Sequence, residues 1–146
     1  MQTKLIVYLL IICFISIKTI SVSTVEELVK ALGKARAGQS IAIAPGVYDF
    51  SEYEIKLEFT LESSGTKSSP ITLTAQDPDN PPLLRAPSIQ DNFIMHIKGE
   101  YWVIENIRIG FGLAAMVLDN ANYNIIRNVE MFSIGFEYCY KIWFFQ

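Results

Sequence analysis

Two stretches near the end of the chain are copies of one another. Val103-Ile104-Glu105-Asn106-Ile107-Arg108-Ile109 aligns with Ile125-Ile126-Arg127-Asn128-Val129-Glu130-Met131 at a constant offset of 22. Strand alternation then places Ile104, Ile107 and Ile109 inward, over Ile126, Val129 and Met131. The alternation breaks at Asn106 and Asn128, where a strand would bend through a left-handed residue that Asn tolerates. The outward positions pair in opposite sign, Glu105 over Arg127 and Arg108 over Glu130. Lys98 falls over Asp119 if the offset one strand earlier is 21. A period in this range, with apolar stacked on apolar and Asn on Asn, is the signature of a parallel β-solenoid, whose coils bury their faces only by stacking. A β-sandwich would also show many short strands. It gives no reason for Asn106 to meet Asn128 or for charge to alternate at one offset.

The rest of the chain fits the same reading. Pro70 to Ala75, Phe93 to Lys98, Trp102 to Ile109, Ala115 to Leu118 and Ile125 to Met131 read as strands, separated by Gly, Asn, Asp and Pro. Asp77-Pro78-Asp79-Asn80-Pro81-Pro82 is a rigid loop. No helical pattern of useful length occurs from residue 53 onward. Before it there is one: Val25, Leu28, Val29, Leu32 and Ala35 recur at helical spacing. Ser23 or Thr24 supplies the N-cap, with Glu26 and Glu27 at capping-box spacing. Lys30, Lys34 and Arg36 occupy the C-terminal half, where the helix dipole favours cations, and Gly38 is the expected stop. The helix should span 24–37 and cover one end of the core with Val25, Leu28, Val29 and Leu32. It leads into a short strand, Ser40 to Ala44, and the turn Pro45-Gly46.

The N-terminus sets the compartment. Residues 5–17 (LIVYLLIICFISI) form a 13-residue apolar run between Lys4 and Lys18. A membrane-spanning helix needs about 20 residues and a signal-peptide core about 7–15. Ser21 and Ser23 suit a cleavage site, so residues 1–23 are expected to be a secretory signal peptide, with an uncleaved signal anchor as the alternative. The protein is then extracellular, with no stable membrane span once the signal is removed. Loss of Lys4 and Lys18 would move the net charge from −3 to −5. No basic excess exists to neutralise phosphates, which argues against a nucleic-acid partner. One cysteine, Cys139, would remain, so neither an internal disulfide nor a cysteine-type zinc site is expected.

Val25 to Tyr48 (VEELVKALGKARAGQSIAIAPGVY) resembles the N-terminal cap of secreted right-handed parallel β-helix proteins of the pectin-lyase-like superfamily, and is most similar to the chondroitinase B and alginate lyase type. Leu61 to Ala75 (LESSGTKSSPITLTA) and Ile97 to Ile109 (IKGEYWVIENIRI) are similar to the coils that follow. Gln39 departs from the pattern, standing where an Asp is usual. The resemblance covers residues 24–135 and speaks for the fold, not for an activity. It implies an all-β right-handed parallel β-helix with an N-terminal amphipathic capping helix, truncated after about four coils, in a polysaccharide-related and lyase-like protein. It makes calcium the cofactor to consider, with no ligands assignable. The lyases' catalytic Lys and Arg and acidic metal ligands lie on later coils. None carries over, so whether the chain is an enzyme stays open, and the alternative is a non-catalytic carbohydrate-binding or structural β-helix.

The residues themselves offer few sites. Glu105, Arg108, Arg127 and Glu130 form an outward cluster able to bind an acidic or hydroxylated sugar chain; the plainer reading is a ladder of inter-coil ion pairs. His96, the single histidine, has no Ser, Cys or carboxylate beside it by spacing. Asp77, Asp79, Asn80 and Asp91 lack any calcium-loop spacing. Tyr101, Trp102 and Tyr123 could stack sugars if exposed, or pack at coil corners. Residues 136–146 (FEYCYKIWFFQ) carry six aromatics and do not continue the pattern, since a third copy would place an Asn near position 150. They read as an atypical tail, either a cap or the product of an incomplete gene model. An uncovered last coil would expose a stacking surface prone to self-association.

Overall fold

The computed structural model describes residues 18–51, 59–86, 93–135 and 143–145. In chain order the elements are β1 (Lys18–Val22), α1 (Val25–Gly33), β2 (Gln39–Ile43), β3 (Val47–Asp49), β4 (Phe59–Leu61), β5 (Ile71–Ala75), β6 (Leu83–Arg85), β7 (Phe93–Ile97), β8 (Trp102–Gly110), β9 (Ala114–Asp119), β10 (Ile125–Phe132) and β11 (Trp143–Phe145). All pairings between these strands are parallel, and they fall into three columns. The first is β1, β2, β5 and the leading halves of β8 and β10. The second is β3, β6 and the trailing halves of β8 and β10. The third is β4, β7, β9 and β11. The chain visits the columns in turn, so residues far apart in sequence become vertical neighbours.

Each column has its own inward stack. Ile41, Leu73, Ile104 and Ile126 share one register in the first. Tyr48, Leu84, Ile109 and Met131 share one in the second, and Leu61, Ile97 and Leu118 one in the third. Most of these side chains are buried, and each fully buried aliphatic stabilises the fold by about 1.5–3 kcal/mol as an upper estimate. Burial fades along β10. Ile104, Ile107 and Ile109 are at most 1% exposed, whereas Ile126, Val129 and Met131 below them are only partly buried.

The repeated segments lie in the register their spacing predicts. Ile125 pairs with Val103, Ile126 with Ile104, Val129 with Ile107 and Met131 with Ile109. Asn106 and Asn128 have φ of 56° and 50°, and Asn128 Nδ2 donates to Asn106 Oδ1 at 2.5 Å. Asn106 Nδ2 in turn donates to Thr74 Oγ1 at 3.3 Å. At each Asn the strand turns from the first column into the second. β7 and β9 pair at the offset of 21, His96 opposite Val117. Earlier rounds are longer, with Ile71 opposite Trp102 and Leu73 opposite Ile104, which is why the period shows in only one clean copy.

Three elements differ from the expectation. Helix α1 ends at Gly33, short of residue 37, because Lys34 N–H and Ala35 N–H bond to Ala31 O and Leu32 O and tighten the last turn. Gly38, with φ of 79°, serves instead the turn into β2, where its N–H bonds to the Ser69 and Pro70 carbonyls. The start of the helix is as expected. Glu27 N–H donates to Thr24 Oγ1, and the Glu27 carboxylate accepts from Ser23 N–H and Oγ. Leu28, Ala31, Leu32 and Ala35 are buried, while Val25 and Val29 are partly buried against the core. Second, residues 18–22 form strand β1, paired along its whole length with β2. Val22 is 2% exposed, and its carbonyl accepts from Ala44 N–H. The rest of the leader, residues 1–17, lies outside the described residues. Third, within the aromatic tail, β11 pairs with β9 in the third column.

Candidate functional site

The strand columns meet at corners, and the corners repeat. Six non-glycine residues with left-handed φ pair off between successive rungs at the offset of 22: Tyr101 (55°) with Tyr123 (58°), Asn106 with Asn128, and Phe111 (65°) with Ser133 (50°). At the first corner the two tyrosine rings are stacked, with centroids 4.9 Å apart and planes 13° from parallel. Asn124 holds this corner in place. Its Oδ1 accepts from Trp102 N–H at 2.7 Å and its Nδ2 donates to Gly99 O at 3.0 Å. Trp102 is fully buried, and its indole N–H donates to Ser63 O at 2.7 Å. A Cβ on Gly99 would overlap the Ser63 carbonyl, so only glycine lets the two loops approach this closely.

Beside this corner lies an open groove of about 560 Å³. It crosses three rungs. Lys67 and Pro70 come from the loop before β5, Tyr101 and Val103 from the start of β8, and Tyr123 and Ile125 from the start of β10. Its wall is mainly apolar, and its low end is open, with Tyr123 69% and Ile125 49% exposed. Lys67 is exposed at its upper end, and no carboxylate lines it among the described residues. Of the aromatic residues singled out from sequence, Tyr101 and Tyr123 are thus brought together on the groove, while Trp102 is core. Lys67 and Pro70 were not legible as partners, because a loop on the preceding rung supplies them.

The four charged residues expected to form one cluster lie on two sides of the Asn corner. Arg127 Nε lies 2.6 Å from Glu105 Oε2 on the first column, and Arg108 Nε lies 2.5 Å from Glu130 Oε2 on the second. Arg108 also covers the Phe132 ring, 5.0 Å from its centroid, and Arg85 covers Phe111 at 4.9 Å while pairing with Asp49 at 3.4 Å. These cations meet carboxylates of the protein itself, and each exposed pair contributes at most about 1 kcal/mol. Hydrogen bonds from Ser51, aided by Arg85, hold the Asp49 carboxyl below the usual carboxylate range. Asp119, expected opposite Lys98, lies 3.6 Å from His96 Nε2. The carboxylate that spacing could not place beside His96 therefore comes from the neighbouring rung.

Among the described residues, those singled out for calcium do not form a site for it. Asp77 accepts the Asp79 N–H and closes a tight turn, and Asp91 lies outside the described residues. Among the described residues no group of three or more His, Cys, Asp or Glu side chains is arranged to hold a metal. Among the same residues no helix is long and apolar enough to cross a membrane.

The architecture has solved counterparts. An alginate lyase from Paenibacillus sp. str. FPU-7 matches with 30% sequence identity over 80% of this chain and 37% of its own, at a TM-score of 0.73. The PL6 family alginate lyase AlyGC matches at 23% identity over 77% of this chain and 15% of its own, at a TM-score of 0.59. A PL6 family polysaccharide lyase from Pseudopedobacter saltans matches at 24% identity over 77% and 24%, at 0.57. The chain shares their parallel β-helix fold, and it spans 37% of the length of the first. No protein-family model and no curated protein matches the chain.

Proposed function

We propose that this chain is a secreted right-handed parallel β-helix of about four coils that binds an acidic polysaccharide. The observation that carries the reading is the 30% identity with an alginate lyase over 80% of the chain. Alginate is a polymer of uronic acids, so a ligand of that class carries one carboxylate per sugar ring. The groove supports binding, with stacked aromatic rings, an apolar wall and a single cation in its lining. Sugar rings present apolar C–H faces that such surfaces take up. No catalytic Lys, Arg or acidic metal ligand of the lyases carries over to a position of this sequence, so the reading is for binding, and the assay below tests for cleavage. A leader that directs export and is removed upstream of Lys18 would leave β1 in place.

The test is affinity electrophoresis of the purified chain in gels containing alginate, chondroitin or pectin, beside an uncharged glucan, together with an ultraviolet assay for unsaturated products. Retardation by an acidic polymer with no product is the expected result. Equal mobility in every gel would refute binding, and steady product formation would replace it with a lyase reading.

A further inference from the structure

The tyrosine corner carries a sharper statement. Left-handed φ strains an ordinary L-residue, and Gly or Asn meets that demand most easily. Asn does meet it at 106 and 128. At the equivalent turn one corner earlier, in both rungs, the residue is Tyr. Stacking of the two rings offsets part of the strain and still leaves Tyr123 mostly exposed. Tyr123 stands on the last described rung of its column, where burial fades along all of β10, and its ring lies on the same groove as a cation.

We propose that the groove formed by Lys67, Pro70, Tyr101, Val103, Tyr123 and Ile125 is a subsite for a uronate-containing chain, with a pyranose ring against the tyrosine stack and a carboxylate on Lys67. The inference rests on the polysaccharide reading above and names where and how the polymer is held. Three features select this ligand. The groove runs across the rungs, so the distance from the Lys67 rung to the Tyr123 rung is roughly 10 Å, two strand spacings. That favours an extended chain over a monosaccharide. The wall is apolar and aromatic where a sugar face would lie. The ionic group in the lining is Lys67, whose ammonium has no carboxylate partner among the described residues, while Arg85, Arg108 and Arg127 all have one. Asn124 is a positioning residue: both ends of its amide are engaged in holding the corner.

The experiment titrates the full chain with alginate oligosaccharides and, in parallel, with carboxyl-reduced alginate oligosaccharides. Variants are Tyr123→Ala, Tyr123→Phe and Lys67→Ala, with Lys98→Ala as an exposed control away from the groove. Circular dichroism melts confirm folding, and the Lys67 variant, in an exposed loop, keeps the test valid if Tyr123→Ala loosens the corner. Wild type should prefer the carboxylated oligosaccharide. Tyr123→Ala should weaken binding about tenfold while Tyr123→Phe and Lys98→Ala bind as wild type. Lys67→Ala should weaken binding several-fold, abolish the preference for the carboxylated form and flatten the salt dependence. If wild type binds alginate and both Tyr123→Ala and Lys67→Ala bind within twofold of it, the subsite is overturned and the polysaccharide reading stands. If wild type binds neither oligosaccharide, both fall together.

Discussion

The amide ladder through Thr74, Asn106 and Asn128 gives the most quantitative test of how the corners hold. Replacing Asn106 by Ala removes two hydrogen bonds, one donated to Thr74 and one accepted from Asn128. Each contributes about 0.5–1.5 kcal/mol net. Ala must also hold φ near 56°, which adds about 1 kcal/mol over Asn. The sum is about 2–4 kcal/mol. Asn106→Gly loses the same bonds but not the conformation, so it should cost about 1 kcal/mol less than Ala. Asn106→Asp keeps the acceptor for Asn128 and loses the donor to Thr74, and should fall nearest wild type at neutral pH. Urea unfolding followed by circular dichroism reads the series. In a chain of this size each kcal/mol moves the melting temperature by roughly 2–4 °C. Equal loss in Ala and Gly would show that the left-handed turn carries no strain for Ala. A Gly variant as stable as wild type would show that the ladder adds nothing.

Other expectations follow from the two ends of the chain and its ionisable groups. A chain starting at Thr24 should be less stable than one starting at Lys18 by about 2–4 kcal/mol, through the buried Val22 side chain and its carbonyl's bonds; equal urea midpoints would remove β1 from the folded unit. Leu28→Asp, at a fully buried helix position, should cost at least about 4 kcal/mol and yield aggregated protein, whereas Glu26→Gln on the exposed face should stay soluble and melt as wild type. Glu27, held below its ordinary 4.5 by hydrogen bonds from Ser23, and Asp49, held below 3.8 by those from Ser51, are depressed in the folded state. Their contribution is therefore complete above about pH 5 and is lost as pH falls through the folded values. Glu27→Gln should flatten that acid limb, and an unchanged limb would contradict the capping role. Tyr48 shifts the other way, raised by burial and then by Glu27, so its contribution is present below pH 10 and lost as pH rises through the higher folded value. Phenolate absorbance should titrate late in the folded chain.

Legibility in the sequence depended on how local each signal was. The register of β8 and β10 could be read because inward apolar residues, the Asn turn and outward charges all repeat at one spacing, and three independent periodicities rarely agree by accident. The helix start was legible because a capping box is a short, contiguous pattern. Its end was not, because the chain tightens at Lys34 while Gly38 answers to Ser69 and Pro70, far along the chain on the next rung. Strand β6 was hidden behind Pro81 and Pro82, and β11 inside a run with no turn residue, because their pairing partners rather than their own pattern make them strands. The β1 segment reads in sequence as the cleavage region of a signal peptide, because Lys18, Ser21 and Ser23 follow the apolar run while its pairing partner, β2, lies beyond the helix. The split of the charged cluster was invisible for a simpler reason: alternation says which side of a strand a residue takes, not that the strand turns a corner between Glu105 and Arg108.

The three stacked corners separate what the backbone requires from what the side chains add. All six residues adopt nearly the same left-handed φ, between 50° and 65°, so the turn itself does not choose among Tyr, Asn, Phe and Ser. Their neighbours do. At 106 and 128 the amides bond to each other along the axis, which holds the rungs in register. At 111 and 133, Phe111 packs edge-on against Phe132 with centroids 5.5 Å apart and lies under Arg85, whose guanidinium also pairs with Asp49. At 101 and 123 the rings stack on each other, yet Tyr123 keeps most of its surface exposed, beside an apolar wall and a lysine from another rung. The first two corners meet polar or aromatic groups of the protein itself. The third leaves an aromatic ring and a cation facing the same groove, and a ligand that combines a sugar ring with a carboxylate would satisfy both at once.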